Sequence, residues 1–310
     1  MKIAPMRIAL AQYPIGQFAT LADWQAHLDA WVQQAADAGA RLLLFPEYGS
    51  MELASLLAPA VQSDLLGSIA AMQDLLPVYR TAHADAAKRH GVTIIAGSFP
   101  VRLNDGGFIN RAFVYAPDGS EACQDKRQMT RFEREEWIIQ GGAALHVFDL
   151  PNMDGADGIR PDGARFGIAI CYDIEFPLIA RALAEAGADL VLAPSCTDTL
   201  AGLHRVHVGA RARALESQIY VAVAQTVGEA PWSPAVDVNR GLAAAYATPD
   251  RGFPDDGVLA QGEIDKPGWV YADLDFVALK AARASAQVFT RADWTSQHLP
   301  GLVVNKAEFR

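Results

Sequence analysis

Strand-length apolar runs alternate with longer stretches of helical spacing from the first residues of this chain onward. Residues 6–12 (MRIALAQ), 41–45 (RLLLF), 92–97 (VTIIAG), 165–170 (RFGIAI), 189–193 (DLVLA) and 219–224 (IYVAVA) are short and apolar on both faces. Gly, Pro or polar residues bound them, which is the pattern of strands buried inside a sheet. Residues 21–38, 65–90, 177–186 and 206–217 carry apolar positions at helical spacing, and Gly39, Gly91 and Gly187 stand where C-caps fall. Residues 21–45, 65–97 and 177–193 each repeat helix, glycine, apolar strand, which predicts an α/β layered fold. Residues 108–116 and 145–150 read instead as hairpin strands joined by turns such as Pro117-Asp118-Gly119, so the sheet is expected to be mixed. The turn-rich stretch 151–163 is too short for a domain boundary and reads as a hairpin or surface loop.

Composition narrows the function. The chain has 310 residues, 51% of them hydrophobic and 20% charged, enough apolar material for a large core. With 26 Lys and Arg against 36 Asp and Glu the net charge is −10, a balance that repels phosphate backbones and anionic lipid, so neither nucleic acid nor membrane is expected as a partner. Three cysteines, Cys123, Cys171 and Cys196, form no CxxC pair and no disulfide framework. The opening MKIAPMRIALAQYP lacks the length and cleavage site of a secretory signal, and a cytoplasmic protein is expected.

Three residues of different types carry candidate chemistry. Glu47 closes RLLLFPE and Cys171 closes RFGIAI, both at the carboxyl ends of buried runs, where open α/β sheets bind ligands. Cys171 also precedes a turn into the helix near Pro177, whose first N–H groups can stabilise a thiolate or an oxyanion. Lys126 lies in CQDKRQM. Taken singly, Glu47 and Lys126 read as solvated charges and Cys171 as a small core residue. Together they supply a base, an ammonium and a thiol, which suffice for acyl transfer without histidine.

The segments LLLFPE (42–47), Asp125-Lys126 and GIAICYDIEFP (167–177), in that order, resemble the nitrilase superfamily of carbon–nitrogen hydrolases, and the resemblance spans about residues 6–273. It implies a four-layer α-β-β-α sandwich with two mixed sheets, forming one hydrolase domain over residues 1–280. A tail, 281–310, is expected to pack on a neighbouring subunit. It further implies a catalytic triad of Glu47 as general base, Lys126 as oxyanion-stabilising cation and Cys171 as nucleophile, with the Tyr172 N–H in the oxyanion hole. A second, substrate-orienting glutamate is implied between Lys126 and Cys171. Counting back from the Gly141-Gly142 pair, which stands where the family has Pro-Gly, favours Glu135, with Glu133 the alternative. Ser195, Cys196 and Thr197 are implied as substrate-pocket residues; Tyr48, Trp232 and Phe253 read as further pocket walls, with core packing the alternative for each aromatic.

The implied activity is hydrolysis of a linear amide or N-carbamoyl bond in a small molecule through a Cys thioester, without cofactor. Nitrile hydrolysis and N-acyl transfer on the same triad are the alternatives, and a non-catalytic binding scaffold is the alternative of another class. A homodimer or higher homo-oligomer is expected, paired through residues 177–186 and 204–217. His204 and His207 lack an acidic partner at ligand spacing, so no metal is expected, and both read as surface or interface residues. Arg205, Arg211 and Arg213 read as a salt-bridged helix face. No GxGxxG after a strand, GxxxxGK[ST] or GxSxG is present, so dinucleotide, nucleotide and serine-hydrolase readings lack support.

Overall fold

A computed structural model of the chain describes residues 4–150 and 163–297. Its strands are β1 (Met6–Pro14), β2 (Leu42–Leu44), β3 (Thr93–Arg102), β4 (Phe108–Tyr115), β5 (Glu121–Asp125), β6 (Ile139–Gln140) and β7 (Val147–Asp149). They continue with β8 (Arg165–Ile168), β9 (Leu190–Ser195), β10 (Tyr220–Glu229), β11 (Val238–Asn239), β12 (Ala244–Tyr246), β13 (Val258–Gln261) and β14 (Gly268–Leu274). The helices are α1 (Leu21–Asp37), α2 (Pro59–Gln62), α3 (Leu65–Ala71), α4 (Leu76–His90), α5 (Arg131–Glu135), α6 (Pro177–Glu185), α7 (Leu200–Ser217), α8 (Phe276–Ser285) and α9 (Thr290–Asp293). Two 3-10 turns, Gly49–Leu56 and Cys171–Glu175, matter for the site.

Each of the six apolar runs forms a strand and each of the four amphipathic stretches forms helix. Residues 65–90 are the exception in detail. They break into α3, a short 3-10 turn and α4, with Pro77 in the first turn of α4, where its missing N–H costs no hydrogen bond. Thr20 caps α1 through a reciprocal pair with Asp23, and Gly91 closes α4 in the left-handed conformation at φ 63°. Residues 145–150 contain β7, which pairs with β8, and residues 108–116 form β4, whose hairpin partner across the Pro117–Gly119 turn is β5.

The sheet is mixed. Its central path runs β5-β4-β3-β2-β1-β10-β9-β8-β7. The inner pairs β3·β2, β2·β1, β1·β10, β10·β9 and β9·β8 are parallel, and β3·β4, β4·β5 and β7·β8 are antiparallel. Two reversals restore direction, so β5 runs the same way as β2, β8 and β9. Side chains alternate between two faces along β1: Met6, Ile8 and Leu10 face one core, while Ala9, Ala11 and Tyr13 face another built with Trp24, Leu28 and Val32 of α1 and Tyr79 of α4. Both faces are covered, which explains why the central strands read as continuous apolar runs rather than alternating ones.

Residues 281–297 of the expected tail make contacts within their own chain. Arg291 donates to the carbonyls of Ala184 (2.7 Å) and Ser217 (2.9 Å), Arg283 donates to Gln218 O (2.7 Å) and pairs with Asp189, and Trp294 lies 4.8 Å from the Arg181 guanidinium. The C-terminal ends of α6 and α7 leave carbonyls without intrahelical partners, and these arginines satisfy them. Residues 298–310, and 151–162 of the expected turn-rich loop, lie outside the described residues.

Candidate active site

Four parallel-running strands, β2, β5, β8 and β9, end on one edge of the sheet, and their ends deliver Glu47, Lys126, Cys171 and Cys196 to one cavity of about 670 Å³. The Glu47 turn is stitched to β3: Tyr48 N donates to Ser98 Oγ (3.0 Å) and Ser50 Oγ to Ser98 O (2.7 Å). Gly97 permits this approach. It sits at φ 75°, and a Cβ there would stand 2.0 Å from the Pro46 carbonyl oxygen. Cys171 and Tyr48 also hold positive φ, at 48° and 55°, a conformation non-glycine residues adopt only where surrounding packing enforces it.

Lys126 is 1% exposed and Glu47 2% exposed. Lys126 Nζ donates to Glu47 Oε1 and to Glu133 Oε2, each at 2.7 Å. Burial works against the ammonium, but Glu133, Glu47 and the Cys171 sulfur outweigh it and hold the lysine pKa well above its ordinary value. Burial pushes Glu47 up to about 7, with Lys126 opposing and the Glu133 charge adding to the rise. Glu133 ends below the usual carboxylate range: burial raises it, and Lys126, Thr130 and Tyr48 together overcome that. Burial, then the Glu47 charge, pushes the Cys171 thiol well above its ordinary range against the pull of Lys126, so the resting sulfur is protonated. Its proton faces the Cys196 carbonyl (3.6 Å) and lies within hydrogen-bonding reach of Glu47.

The choice of second glutamate is corrected. Glu135 is not at the site: its side chain is 61% exposed and pairs with Arg131 across one helical turn. Glu133, 4% exposed, stands there instead. Thr130-Arg131-Phe132-Glu133 forms a capping box on α5: Glu133 N donates to Thr130 Oγ1 (3.3 Å), and Glu133 Oε2 accepts from Thr130 N (2.9 Å). The carboxylate that caps the helix therefore turns back toward Lys126. Counting to Gly141-Gly142 fixed a distance along the chain but not the helical phase, and two positions along a helix differ by about 200°. The T-x-x-E pattern was the signal that points to Glu133.

Asn110 is absent from the sequence-based candidates and is central here. Its Nδ2 donates to Glu47 Oε1 (2.9 Å) and Glu133 Oε1 (3.1 Å), and its carbonyl accepts from Lys126 N (2.8 Å). An Asn inside the strand-like run 108–116, where Asn is disfavoured, was the available signal. Tyr48 OH donates to Glu133 Oε1 (2.8 Å), and Cys196 N donates to Glu47 Oε2 (3.1 Å).

Tyr48, Cys196, Thr197 and Tyr172 line the cavity. The Tyr172 N–H stands ahead of the first hydrogen bond of its turn, Asp173 N to Ile170 O (2.9 Å), among the donors a helix start leaves without an internal partner. Ser195 does not line the cavity. It is fully buried at the end of β9, with Oγ donating to Ala193 O (3.1 Å), because the strand's alternation turns it into the core. Trp232 and Phe253 pack against the cores and are likewise absent from the lining.

His207 is buried rather than at the surface: Nδ1 pairs with Tyr246 OH (2.8 Å), and Nε2 faces Gln225 Oε1 and Leu242 O (both 3.0 Å). Among the described residues no group of three or more His, Cys, Asp or Glu is arranged to hold a metal. Arg205 pairs with Glu175 (3.4 Å) and Arg213 with Glu216 (3.5 Å), while Arg211 donates to Asp256 O (2.9 Å). No helix among the described residues is long and apolar enough to cross a membrane.

A buried thiol, a carboxylate and an ammonium meeting at strand ends define an α/β protein with a cysteine-centred site. The chain matches the carbon-nitrogen hydrolase family over residues 7–283 and belongs to that family. It is 30% identical over 284 residues to the probable hydrolase YhcX of Bacillus subtilis, covering 92% of this chain and 52% of that protein; the chain thus spans about half the length of this relative. It is 25% identical over 292 residues to the human omega-amidase NIT2, covering 91% of this chain and 93% of the relative. Among solved structures, Saccharomyces cerevisiae Nit3, a member of branch 10 of the nitrilase superfamily, superposes with TM-score 0.68 at 18% identity, covering 92% of this chain and 95% of that one. An amidase from Nesterenkonia sp. gives TM-score 0.64 at 23% identity, covering 92% and 96%. These two likenesses bear on the fold.

Proposed function

We propose that this protein hydrolyses the carbon–nitrogen bond of a small linear amide or N-carbamoyl compound through a thioester on Cys171. The observation that carries the reading is the convergence of Cys171, Glu47 and Lys126 on one cavity, with the buried Glu47 carboxylate anchored to the Lys126 ammonium at 2.7 Å. Glu47 takes the thiol proton as the sulfur attacks the amide carbon. Negative charge gathers on the former carbonyl oxygen, where Lys126 Nζ and the Tyr172 N–H stabilise it; losing one such donor costs about 3–4 kcal/mol of barrier. The tetrahedral species collapses with the proton on Glu47 passing to the departing nitrogen, which leaves as ammonia or an amine. Water, deprotonated by Glu47, then attacks the thioester and returns the thiol and a carboxylic acid. Glu133, held by Lys126, Tyr48 and Asn110, orients the substrate nitrogen by accepting its N–H.

The relatives include an omega-amidase and the structural neighbours an amidase, and both agree with an amide substrate. The cavity lining adds a preference. Glu136, Asp198 and Asp237 line it without an ion-pair partner among the described residues, whereas Arg131 and Arg205 are engaged by Glu135 and Glu175, so neutral or positively charged amides are favoured over anionic ones.

Support for the four-layer α-β-β-α reading comes from the first core, which joins Ile95, Ala112 and Val114 of β3 and β4 to Phe166 and Ile168 of β8, strands far apart along the sheet path. Exposed Leu178 on α6 and Val208 on α7 support pairing of two copies through these helices. The reading extends to a single catalytic unit over residues 1–280, working in the cytoplasm. Ammonia release from a panel of neutral, cationic and anionic amides and nitriles, with and without an added amine acceptor, tests the reaction. Amide turnover that disappears in Cys171→Ala is expected, and turnover undiminished in that variant overturns the reading. Sedimentation at micromolar concentration tests the pairing.

A further inference from the structure

Asp173 takes part in none of the steps above, yet it is 1% exposed and its carboxylate accepts from three backbone N–H groups. Oδ2 accepts from Ile170 N (3.2 Å) and from Arg127 N (3.1 Å), and Oδ1 accepts from Gln128 N (2.7 Å). Ile170 is the residue before Cys171, and Arg127 and Gln128 are the two residues after Lys126. These segments leave β8 and β5, strands separated in the sheet by β9, β10, β1, β2, β3 and β4. The nucleophile and its ammonium thus depend on packing between distant strand ends, and one side chain fastens the two backbones together.

The arrangement is expensive for a part that does nothing else. Burial pushes the Asp173 carboxyl up to about 6, opposed by Lys126 and by the three N–H donors, and no cation among the described residues pairs with it directly. The Arg127 side chain points elsewhere, donating to Gly142 O (3.0 Å) and Ala143 O (3.1 Å). A water-exposed turn would need none of this.

We infer that Asp173 is a positioning residue that sets the separation between the Lys126 ammonium and the Cys171 sulfur. This rests on the reading of Cys171 as nucleophile and goes beyond it. The oxyanion exists only after the sulfur has attacked, so an error in this separation falls on the transition state and not on the bound amide. A displacement of about 1 Å is enough to cost on the order of 100-fold in rate. Loss of the clamp therefore lowers kcat and leaves KM nearly unchanged.

The test compares Asp173→Asn and Asp173→Ala with the parent protein on a neutral amide. Active sites are counted by iodoacetamide alkylation of Cys171, so that turnover is expressed per competent thiol. Asn keeps an oxygen toward Ile170 and Arg127 but turns an amide group against Gln128 N–H, whereas Ala keeps no acceptor. We expect kcat per titrated site to fall about 100-fold in Asp173→Ala and about tenfold in Asp173→Asn, with KM within threefold of the parent. If the alanine variant does not fold, the isosteric asparagine variant decides alone. Unchanged kcat per titrated thiol, or a change confined to KM, overturns the inference while leaving the proposed reaction standing. Full turnover in Cys171→Ala instead removes the proposed reaction, and the inference with it.

Discussion

Two buried glutamates five residues apart meet opposite fates. Glu47, 2% exposed, and Glu52, 4% exposed, both belong to the segment that follows β2. Burial raises both, Glu47 to about 7 and Glu52 to about 8. Glu52 has no cation. Tyr13 OH (2.9 Å) and Trp24 Nε1 (2.7 Å) donate to Oε1, and Gly16 N (3.2 Å) donates to Oε2, so neutral donors tie the turn to β1 and α1. Glu47 has the Lys126 ammonium, the Asn110 amide and the Cys196 N–H, and faces the cavity. Burial alone makes a carboxylate reluctant to ionise; an adjacent ammonium and access to a thiol make it a base that works near neutral pH. The difference lies in the partners, not in the residue type or its depth.

The largest effect that separates the pair is on turnover. Glu47→Gln is expected to lower kcat by about 10³-fold or more, since the general base and its charge are both lost, while Glu52→Gln keeps kcat within about threefold. Steady-state kinetics on one amide checks both, and equal losses break the comparison. Lys126→Ala comes next, because it leaves Glu47 and Glu133 buried without their shared cation. It is expected to cost about 3–5 kcal/mol of stability, read as a shift in urea midpoint, in addition to abolishing activity. Replacing a lysine that did not neutralise the pair would leave that midpoint in place.

The pH dependence sharpens the contrast further. As a base, Glu47 works only when ionised, so kcat/KM is expected to rise with pH through about 7. The neighbouring Glu133 charge contributes to that raised value. Glu133→Gln is therefore expected to move the limb to lower pH; a limb that stays in place assigns it to another group. The smallest effect belongs to Glu52. Its folded pKa lies above the ordinary carboxylate value, so the folded state holds a proton that the unfolded chain releases. Its contribution to stability is present below about pH 4.5 and is lost as pH rises to about 8. The stability of the parent relative to Glu52→Gln is expected to decline across that window in urea titrations, and a flat difference contradicts the assignment.

Much of the frame was legible in the chain, for reasons that particular residues show. The run RFGIAI becomes a strand and Cys171 stands just past its end because an apolar segment of that length flanked by polar residues finds its lowest free energy inside a sheet. Glu47 follows the same logic after RLLLF. Ser195 shows where this stops: its place near a strand end was readable, but the face it presents depends on which layers cover the sheet. Glu133 was readable in principle through Thr130, and the count to Gly141-Gly142 led to Glu135 because sequence distance carries no helical phase.

The sequence by itself determined the succession of strands and helices, the cap at Gly91, and the presence of a carboxylate and a thiol beside strand ends with an ammonium between them along the chain. Those features arise from side-chain periodicity and backbone preference among near neighbours in the chain. Tertiary structure decided that Asn110 bridges two carboxylates, that Asp173 joins the ends of β5 and β8, that the tail arginines close α6 and α7, and that Glu47 rather than Glu52 meets the lysine. Each of these depends on which distant segments are brought within a few ångströms once water is excluded, and there a single charge or N–H changes a proton affinity that the local sequence leaves unset.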